Sequence, residues 1–399
     1  MKRVTIKKGR EKPLVSGHPW AFSGAVASVS GSPAPGEIVR VADATGRFIA
    51  WAYYNDHSQI VCRLLDWSES SAIDEAWWRR MLTASIRRRQ GMLEDPASTA
   101  CRLCHAESDG LPGLIVDRYG DYIVIQALTA GIERVKPQIV ACLQEVLQPA
   151  GIIERSDQKN RKLEGLPPSH GLLAGAMPEG PIEIVEDGLR FLVDLDSGQK
   201  TGFYLDQRIN RCRVAAYAAG ARVFDGFSYT GGFALHALRA GALSVTCVDT
   251  TAPAISLLHR NLALNHPADT KSEVPLHALC TDVFAQLRAY RDQGEQFDLV
   301  ILDPPKLAPT RASAERAMRS YKDLNLWAMS ILRPDGILAT FSCSGGVSAE
   351  RFQEALWWAA IDAHRQVQII ERLAQSPDHP VRLSFPESEY LKGMVCRVG

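Results

Sequence analysis

No apolar run in this 399-residue chain approaches the roughly 20 residues that cross a bilayer, so no membrane span is expected. A secretion signal is not expected either, because the basic stretch Lys2, Arg3, Lys7, Lys8, Arg10 and Lys12 leads into no apolar segment. Net charge is missing too: 45 Lys and Arg balance 45 Asp and Glu, which argues against a histone-like binder held by bulk charge. The nine cysteines are scattered and odd in number, which argues against a disulfide framework and for a reducing cytoplasm. Cys101-Arg-Leu-Cys104-His105 spells a haem-attachment string, but no second Cys/His pair lies close by. That string is a coincidence within a strand, and no metal is expected. The dinucleotide fingerprint G-x-G-x-x-G is also absent, which disfavours NAD.

What is present points to several domains, since 399 residues exceed one ordinary domain. Residues 1–70 hold short strand-like runs broken by Gly, Pro and Ser, as in a small β-barrel. His18-Pro-Trp-Ala-Phe-Ser-Gly24 sets aromatics beside the basic N-terminus, a mixture suited to stacking on RNA as well as to an ordinary core. Further basic clusters, Arg79, Arg80, Arg87, Arg88 and Arg89, then Arg155, Lys159, Arg161 and Lys162, fit solvated surface or an RNA-facing patch equally. Residues 71–180 fit an α+β domain: a helix over 73–93, a hairpin turning at Tyr119-Gly-Asp121, a helix from Val135 to Leu147, a strand at Gly151, and a loop over 165–181. From residue 181 strands alternate with helices, the mark of a parallel sheet, with two closing strands expected to be antiparallel.

The strand ends carry the chemistry. Asp225-Gly-Phe-Ser-Tyr-Thr-Gly-Gly232 follows the strand Arg222-Val-Phe, where doubly wound sheets bind ligands and glycines admit close backbone approach. Asp249 ends the next strand, placed for ribose hydroxyls, and Asp282 the third, placed for an adenine amino group. With Asp303 ending a fourth, the series suits a cationic nucleoside without phosphates, and S-adenosylmethionine is the expected cofactor. The competing reading makes these acids helix caps.

Asp303-Pro-Pro-Lys306 resembles the strand-end motif with which nucleic-acid methyltransferases face a flipped base. Enzymes acting on amino groups follow the prolines with an aromatic that stacks on the base. Lys306 in that place argues against amine chemistry. Cys343, in Thr-Phe-Ser-Cys-Ser-Gly345 at another strand end, suits attack on a ring carbon. A thiolate can add to carbon-6 of a pyrimidine, activate carbon-5 and later leave, provided the base is extruded or single-stranded. A buried, inert thiol is the alternative for Cys343.

On these residues the chain resembles the bacterial 23S ribosomal RNA large-subunit cytosine-5 methyltransferase family. The shared segments span nearly the whole chain: His18-Pro-Trp-Ala-Phe-Ser-Gly24, Glu107-Ser-Asp-Gly-Leu-Pro-Gly113, Arg155-Ser-Asp157, Lys200-Thr-Gly-Phe-Tyr-Leu-Asp-Gln-Arg208, Phe227-Ser-Tyr-Thr-Gly-Gly-Phe233, Asp303-Pro-Pro-Lys306, Phe341-Ser-Cys-Ser-Gly345 and Tyr390-Leu-Lys-Gly393. The resemblance implies a multidomain α/β protein: a PUA-like β-barrel over 1–70, a central α+β domain over 71–180, and a Rossmann-like class I methyltransferase sheet with an antiparallel last strand over 181–399. It implies S-adenosylmethionine as methyl donor and 23S ribosomal RNA as partner, with no membrane and with a homodimer allowed. Cys343 is then the nucleophile. Phe227, Tyr229, Thr230, Gly231, Gly232, Asp249, Asp282 and Asp303 surround the cofactor, and Tyr204, Gln207 and Arg208 close the site.

Two departures stand out. Leu307 occupies a place where phenylalanine is expected after the lysine, which bears on how the base packs. The second cysteine that two-cysteine RNA cytosine methyltransferases carry near Asp-Pro-Pro is absent. The base that removes the carbon-5 proton is therefore unassigned, with Asp303 and Lys306 as candidates. Methylation of guanine or uracil, or a non-catalytic role in ribosome assembly, are the alternatives to be separated by experiment.

Overall fold

The computed structural model describes residues 2–156, 159–196, 198–266, 275–307 and 314–399. The chain divides into two units: Met1–Gly188 with Val193–Leu205 and Pro377–Ser388, and Leu189–Leu192 with Asp206–Ser376 and Glu389–Gly399. Among the described residues no helix is long and apolar enough to cross a membrane.

The first unit opens with strands β1 (Arg3–Ile6), β2 (Trp20–Phe22), β3 (Val26–Ser30), β4 (Ile38–Ala42), β5 (Phe48–Tyr54) and β6 (Ile60–Asp66), and a short helix α1 (Lys12–Val15). They form one sheet in the order β2-β6-β5-β4-β1-β3, with β1 and β4 parallel. Val4, Ile6, Val39, Val41 and Leu64 alternate inward and fill its core. Among the described residues no ladder joins β2 to β3, so the expected barrel is open there: β2 has three residues and β3 is largely exposed.

Helix α2 (Glu75–Arg87) follows, capped by Asp74, whose carboxylate accepts from the Trp77 amide at 2.9 Å. The single helix expected over 73–93 is broken into α2 and α3 (Gln90–Leu93). Arg89 leaves helical geometry between them and turns its side chain inward to Asp109. Strands β7 (Ala100–His105), β8 (Leu114–Tyr119), β9 (Tyr122–Ala127), β10 (Gly151–Ser156) and β11 (Ser169–Gly175) make a second sheet in the order β11-β10-β9-β8-β7. β8 and β9 meet at a two-residue turn whose first residue, Gly120, has φ of 56°, as the hairpin reading required. The crossover between β9 and the parallel β10 is α4 (Ala130–Leu147), five residues longer at its start than periodicity suggested. The stretch 165–181, expected as a loop, contains β11, paired antiparallel to β10. Its two glycines and lack of clean alternation hid a strand that its partner holds in place.

Residues 1–70 and 71–180 fall within this one unit, and buried polar contacts tie them together. The Tyr53 hydroxyl donates to the Pro112 carbonyl at 2.5 Å and bonds Thr129 at 2.9 Å. Arg63 forms ion pairs with Glu107 and Glu164 at 2.8 and 2.9 Å. Helix α5 (Lys159–Leu163) and strand β12 (Ile182–Glu186) complete the unit before the chain enters β13 (Leu189–Val193).

The second unit is built on seven strands: β14 (Arg222–Gly226), β15 (Ser244–Asp249), β16 (Leu276–Cys280), β17 (Phe297–Leu302), β18 (Leu332–Ser342), β19 (Val367–Leu373) and β20 (Lys392–Val398). Their order is β16-β15-β14-β17-β18-β20-β19. Helices α6 (Arg208–Ala215), α7 (Gly232–Arg239), α8 (Ala252–Asn265), α9 (Val283–Gln293), α10 (Ala314–Ser330) and α11 (Ala349–Asp362) connect and cover them. Two apolar clusters, one around Phe224, Tyr321 and Phe352 and one around Val223, Leu258 and Phe341, pack against the strands. Both faces are thus covered, as parallel strands require. Of the two closing strands only β20 opposes the parallel set, as it lies antiparallel between β18 and β19. β19 runs with the set instead, because α11 carries the chain back along the sheet before β19 begins.

Candidate active site

Strand order reverses between β14 and β17, and ligands of such sheets bind outside the carboxyl ends of strands at that point. The segment after β14 sits there and is bent sharply. Phe227 and Tyr229 have φ of 66° and 48°, rare for side chains of their size, and Gly231 has φ of 87°. Two residues held this way store local strain, which persists only where surroundings over-determine it. Here the Phe227 and Ser228 amides both donate to the Val248 carbonyl, at 2.8 and 3.1 Å. The Tyr229 amide donates to Asp249 Oδ2 at 3.0 Å, and Asn261 Nδ2 donates to the Thr230 carbonyl at 3.0 Å. A Cβ on Gly231 would stand 3.0 Å from Leu258, so the turn must pack tightly as well as bend.

The acids occupy the strand ends in different states. Asp225 is 1% exposed, and its Oδ2 has no hydrogen-bond partner among the described residues. Burial first, then the neighbouring Asp303 and Asp249 carboxylates, raise it from 3.8 to about 8. Asp249 bridges two backbone amides, Tyr229 by Oδ2 and Thr251 by Oδ1. Asp282 lies two residues beyond the end of β16 and caps α9, accepting from the Ala285 amide at 2.8 Å. For Asp282 the cap that competed with a ligand role is thus present. Ser228 Oγ and Thr230 Oγ1 are buried without partners among the described residues, as is Gln207 Nε2 at the start of α6. The unsatisfied buried atoms of Asp225, Ser228 and Thr230, all within one glycine-rich segment, fit a polar, positively charged cofactor of the S-adenosylmethionine type, whose bonds would satisfy them.

Because Asp225 holds a proton in the folded chain that the unfolded chain releases above 3.8, its contribution to stability falls as pH rises toward about 8. Asp225→Asn cannot ionise. Its urea midpoint relative to the parent chain should therefore climb from pH 4 to pH 8, within the roughly linear regime of denaturant unfolding. A difference that stays flat across that window would show the carboxylate to be ionised throughout.

Asp303 and Cys343 come together at the ends of neighbouring strands. β17 pairs with β18 through Leu302 and Thr340, so Asp303 lies one residue and Cys343 three residues beyond the last paired level. Tyr321 of α10 marks their common neighbourhood, since both groups disfavour its ionised form. Its hydroxyl accepts from Ser342 Oγ at 2.9 Å and lies 3.0 Å from Ser344 Oγ, so all three buried hydroxyls anchor the residues flanking Cys343. Cys343 itself is half-buried. Lys306 is exposed, whereas Leu307 packs against the apolar cluster. Gln207 and Arg208 lie in the second unit, both buried. Tyr204 belongs to the first unit, where it bonds Gln199 and carries Lys200 over its ring at 4.2 Å. Sequence reading passed over three groups: Asp225 as a protonated acid, Tyr321, and Lys392 of β20. Lys392 was visible only as part of Tyr390-Leu-Lys-Gly393, and Tyr321 left no signal in a helix of ordinary composition.

A PUA-like domain model matches residues 4–67, and an S-adenosylmethionine-dependent methyltransferase model matches residues 167–384. The chain is 43% identical to ribosomal RNA large subunit methyltransferase I of Erwinia tasmaniensis over 396 residues, covering 99% of each. The chain belongs to the ribosomal RNA large subunit methyltransferase I family. The enzyme of that name from Shewanella amazonensis is also 43% identical, over 399 residues and 99% of each chain. A crystal structure of a protein complexed with SAH matches over 100% of both chains, with TM-score 0.87 and 21% identity, and shows the shared fold. The chain thus combines a PUA-like domain with an S-adenosylmethionine-dependent methyltransferase domain in one α/β protein.

Proposed function

We propose that the protein methylates carbon-5 of a cytosine in 23S ribosomal RNA, in the cytoplasm, through a covalent adduct with Cys343. Residues 1–70 bind RNA, residues 71–180 form the central domain, and residues 181–399 carry the transfer. The observation that carries the reading is the placement of Asp303 and Cys343 just beyond the ends of neighbouring strands, with a lysine where an amine methyltransferase needs an aromatic.

Phe227, Tyr229, Thr230, Gly231, Gly232 and Asp249 would hold S-adenosylmethionine, which when bound supplies the methyl group and leaves as S-adenosylhomocysteine. The Cys343 thiolate forms a bond to carbon-6 of the extruded base, and the electrons of the 5,6 double bond make carbon-5 nucleophilic. After carbon-5 is methylated, a base takes its proton. The electrons of that C–H bond restore the double bond, and the carbon–sulfur pair departs with Cys343. Asp303, by proximity, and Lys306 are the candidates for that base. The names of the relatives favour ribosomal RNA of the large subunit as substrate.

Incubation with deproteinised 23S RNA or assembled subunits and labelled S-adenosylmethionine, followed by digestion to nucleosides, should place the label in 5-methylcytidine. Label in a methylated guanosine or uridine would sink the cytosine assignment.

A further inference from the structure

Lys392 lies on β20 opposite Ser342 of β18, the residue that precedes Cys343. The side chain is buried, with 8% of the residue exposed. Its Nζ donates to the Ser344 carbonyl at 2.8 Å and to the Tyr390 carbonyl at 2.9 Å. An ammonium has three N–H donors, so one remains after both carbonyls are satisfied.

Buried charges are normally paired, because an ammonium taken from water without a counter-charge is costly. Among the described residues Lys392 forms no salt bridge with a carboxylate. The charges acting on it are Cys343, whose thiolate favours the ammonium, exposed Glu389, and Lys306, which opposes it. Asp303, one residue beyond β17, and Cys343 both act on Tyr321 of α10; burial keeps the Tyr321 hydroxyl neutral, so it offers hydrogen bonds and no charge. A thiolate at Cys343 is the counter-ion these surroundings leave for Lys392.

We infer that Lys392 is the positioning residue that holds Cys343 as a thiolate, its ammonium directing the remaining N–H and its charge at Sγ. When the pair ionises, the S–H bond breaks, the sulfur keeps the electron pair, and the Lys392 amine binds the proton. Burial lowers Lys392 to about 8, near the roughly 8.5 of an ordinary thiol, so the proton moves between groups of similar affinity. The inference rests on Cys343 acting as the nucleophile.

The test reads the thiol directly. The full-length protein is alkylated with iodoacetamide over a pH series, and modification of the Cys343 peptide is followed by mass spectrometry, without RNA or methyl donor. In the parent chain the midpoint should lie below the ordinary thiol value. In Lys392→Gln, which can still donate to the carbonyls, it should rise by about one pH unit, which is about tenfold less thiolate at neutral pH. Lys392→Arg should restore the low midpoint. A parent midpoint at or above the ordinary value, or an unmoved midpoint in Lys392→Gln, overturns the inference; the parent measurement decides even where a variant fails to fold. If the proposed nucleophile is wrong, methyl transfer survives Cys343→Ala, a result independent of the alkylation profile.

Discussion

Cys343→Ala should lose methyl transfer by about 10³-fold or more, since removing a nucleophile from a covalent mechanism leaves only binding and orientation. S-adenosylmethionine affinity measured by calorimetry should stay near that of the parent chain. The two effects separate because Cys343 lies beyond β18, while the glycine-rich turn after β14 and Asp249 lie on the other side of β17. Removing Sγ leaves Tyr321, Ser342 and Ser344 bonded to one another, so the local backbone should hold. Tritium transfer from labelled donor to RNA gives the rate, and transfer at near-parental rate would end the covalent mechanism.

Asp109→Ala should destabilise the first unit by about 3–5 kcal/mol, the usual cost of stranding one member of a buried ion pair. Asp109 is 3% exposed and accepts from both terminal nitrogens of Arg89 at 2.7 Å, from Arg88 at 3.1 Å and from the His105 amide at 2.7 Å. Without it the Arg89 guanidinium, itself 3% exposed, keeps its charge and loses its counter-ion. Urea unfolding followed by the fluorescence of Trp77 and Trp78, which belong to the same apolar cluster, reads the loss. Replacing both partners by apolar residues should recover most of it. Glu145→Ala, which removes the exposed partner of Arg79, should leave the midpoint unmoved. A small loss in Asp109→Ala would mean that water reaches Arg89.

The methyltransferase half was legible because its signals are local. Apolar runs such as Phe297–Leu302 end at single acids, and each acid marks a strand end whatever its partners. The roles of those acids were not legible. Asp225 and Asp282 look alike in sequence, yet one is buried among carboxylates and the other caps a helix. Charge state is fixed by neighbours brought from distant segments, as Asp303 is to Asp225. The same limit hid β11, whose glycines needed β10 to become a strand, and the break at Arg89, which depends on Asp109 twenty positions on. Lys392 is the sharpest instance. Its importance comes from lying beside a strand made some fifty residues earlier in the chain, as the pairing of Ser342 with Lys392 records.

That placement has a consequence for synthesis. β20 is translated after both strands between which it inserts, so β18 and β19 emerge with their facing edges open. Open strand edges are sticky, and pairings between distant segments form slowly. At about 5–20 residues per second, the interval before β20 arrives lasts seconds. During it the chain holds Cys343 without the lysine strand. Chaperone dependence should therefore concentrate in that interval, and nascent chains stalled before β20 should be the ones most prone to aggregate.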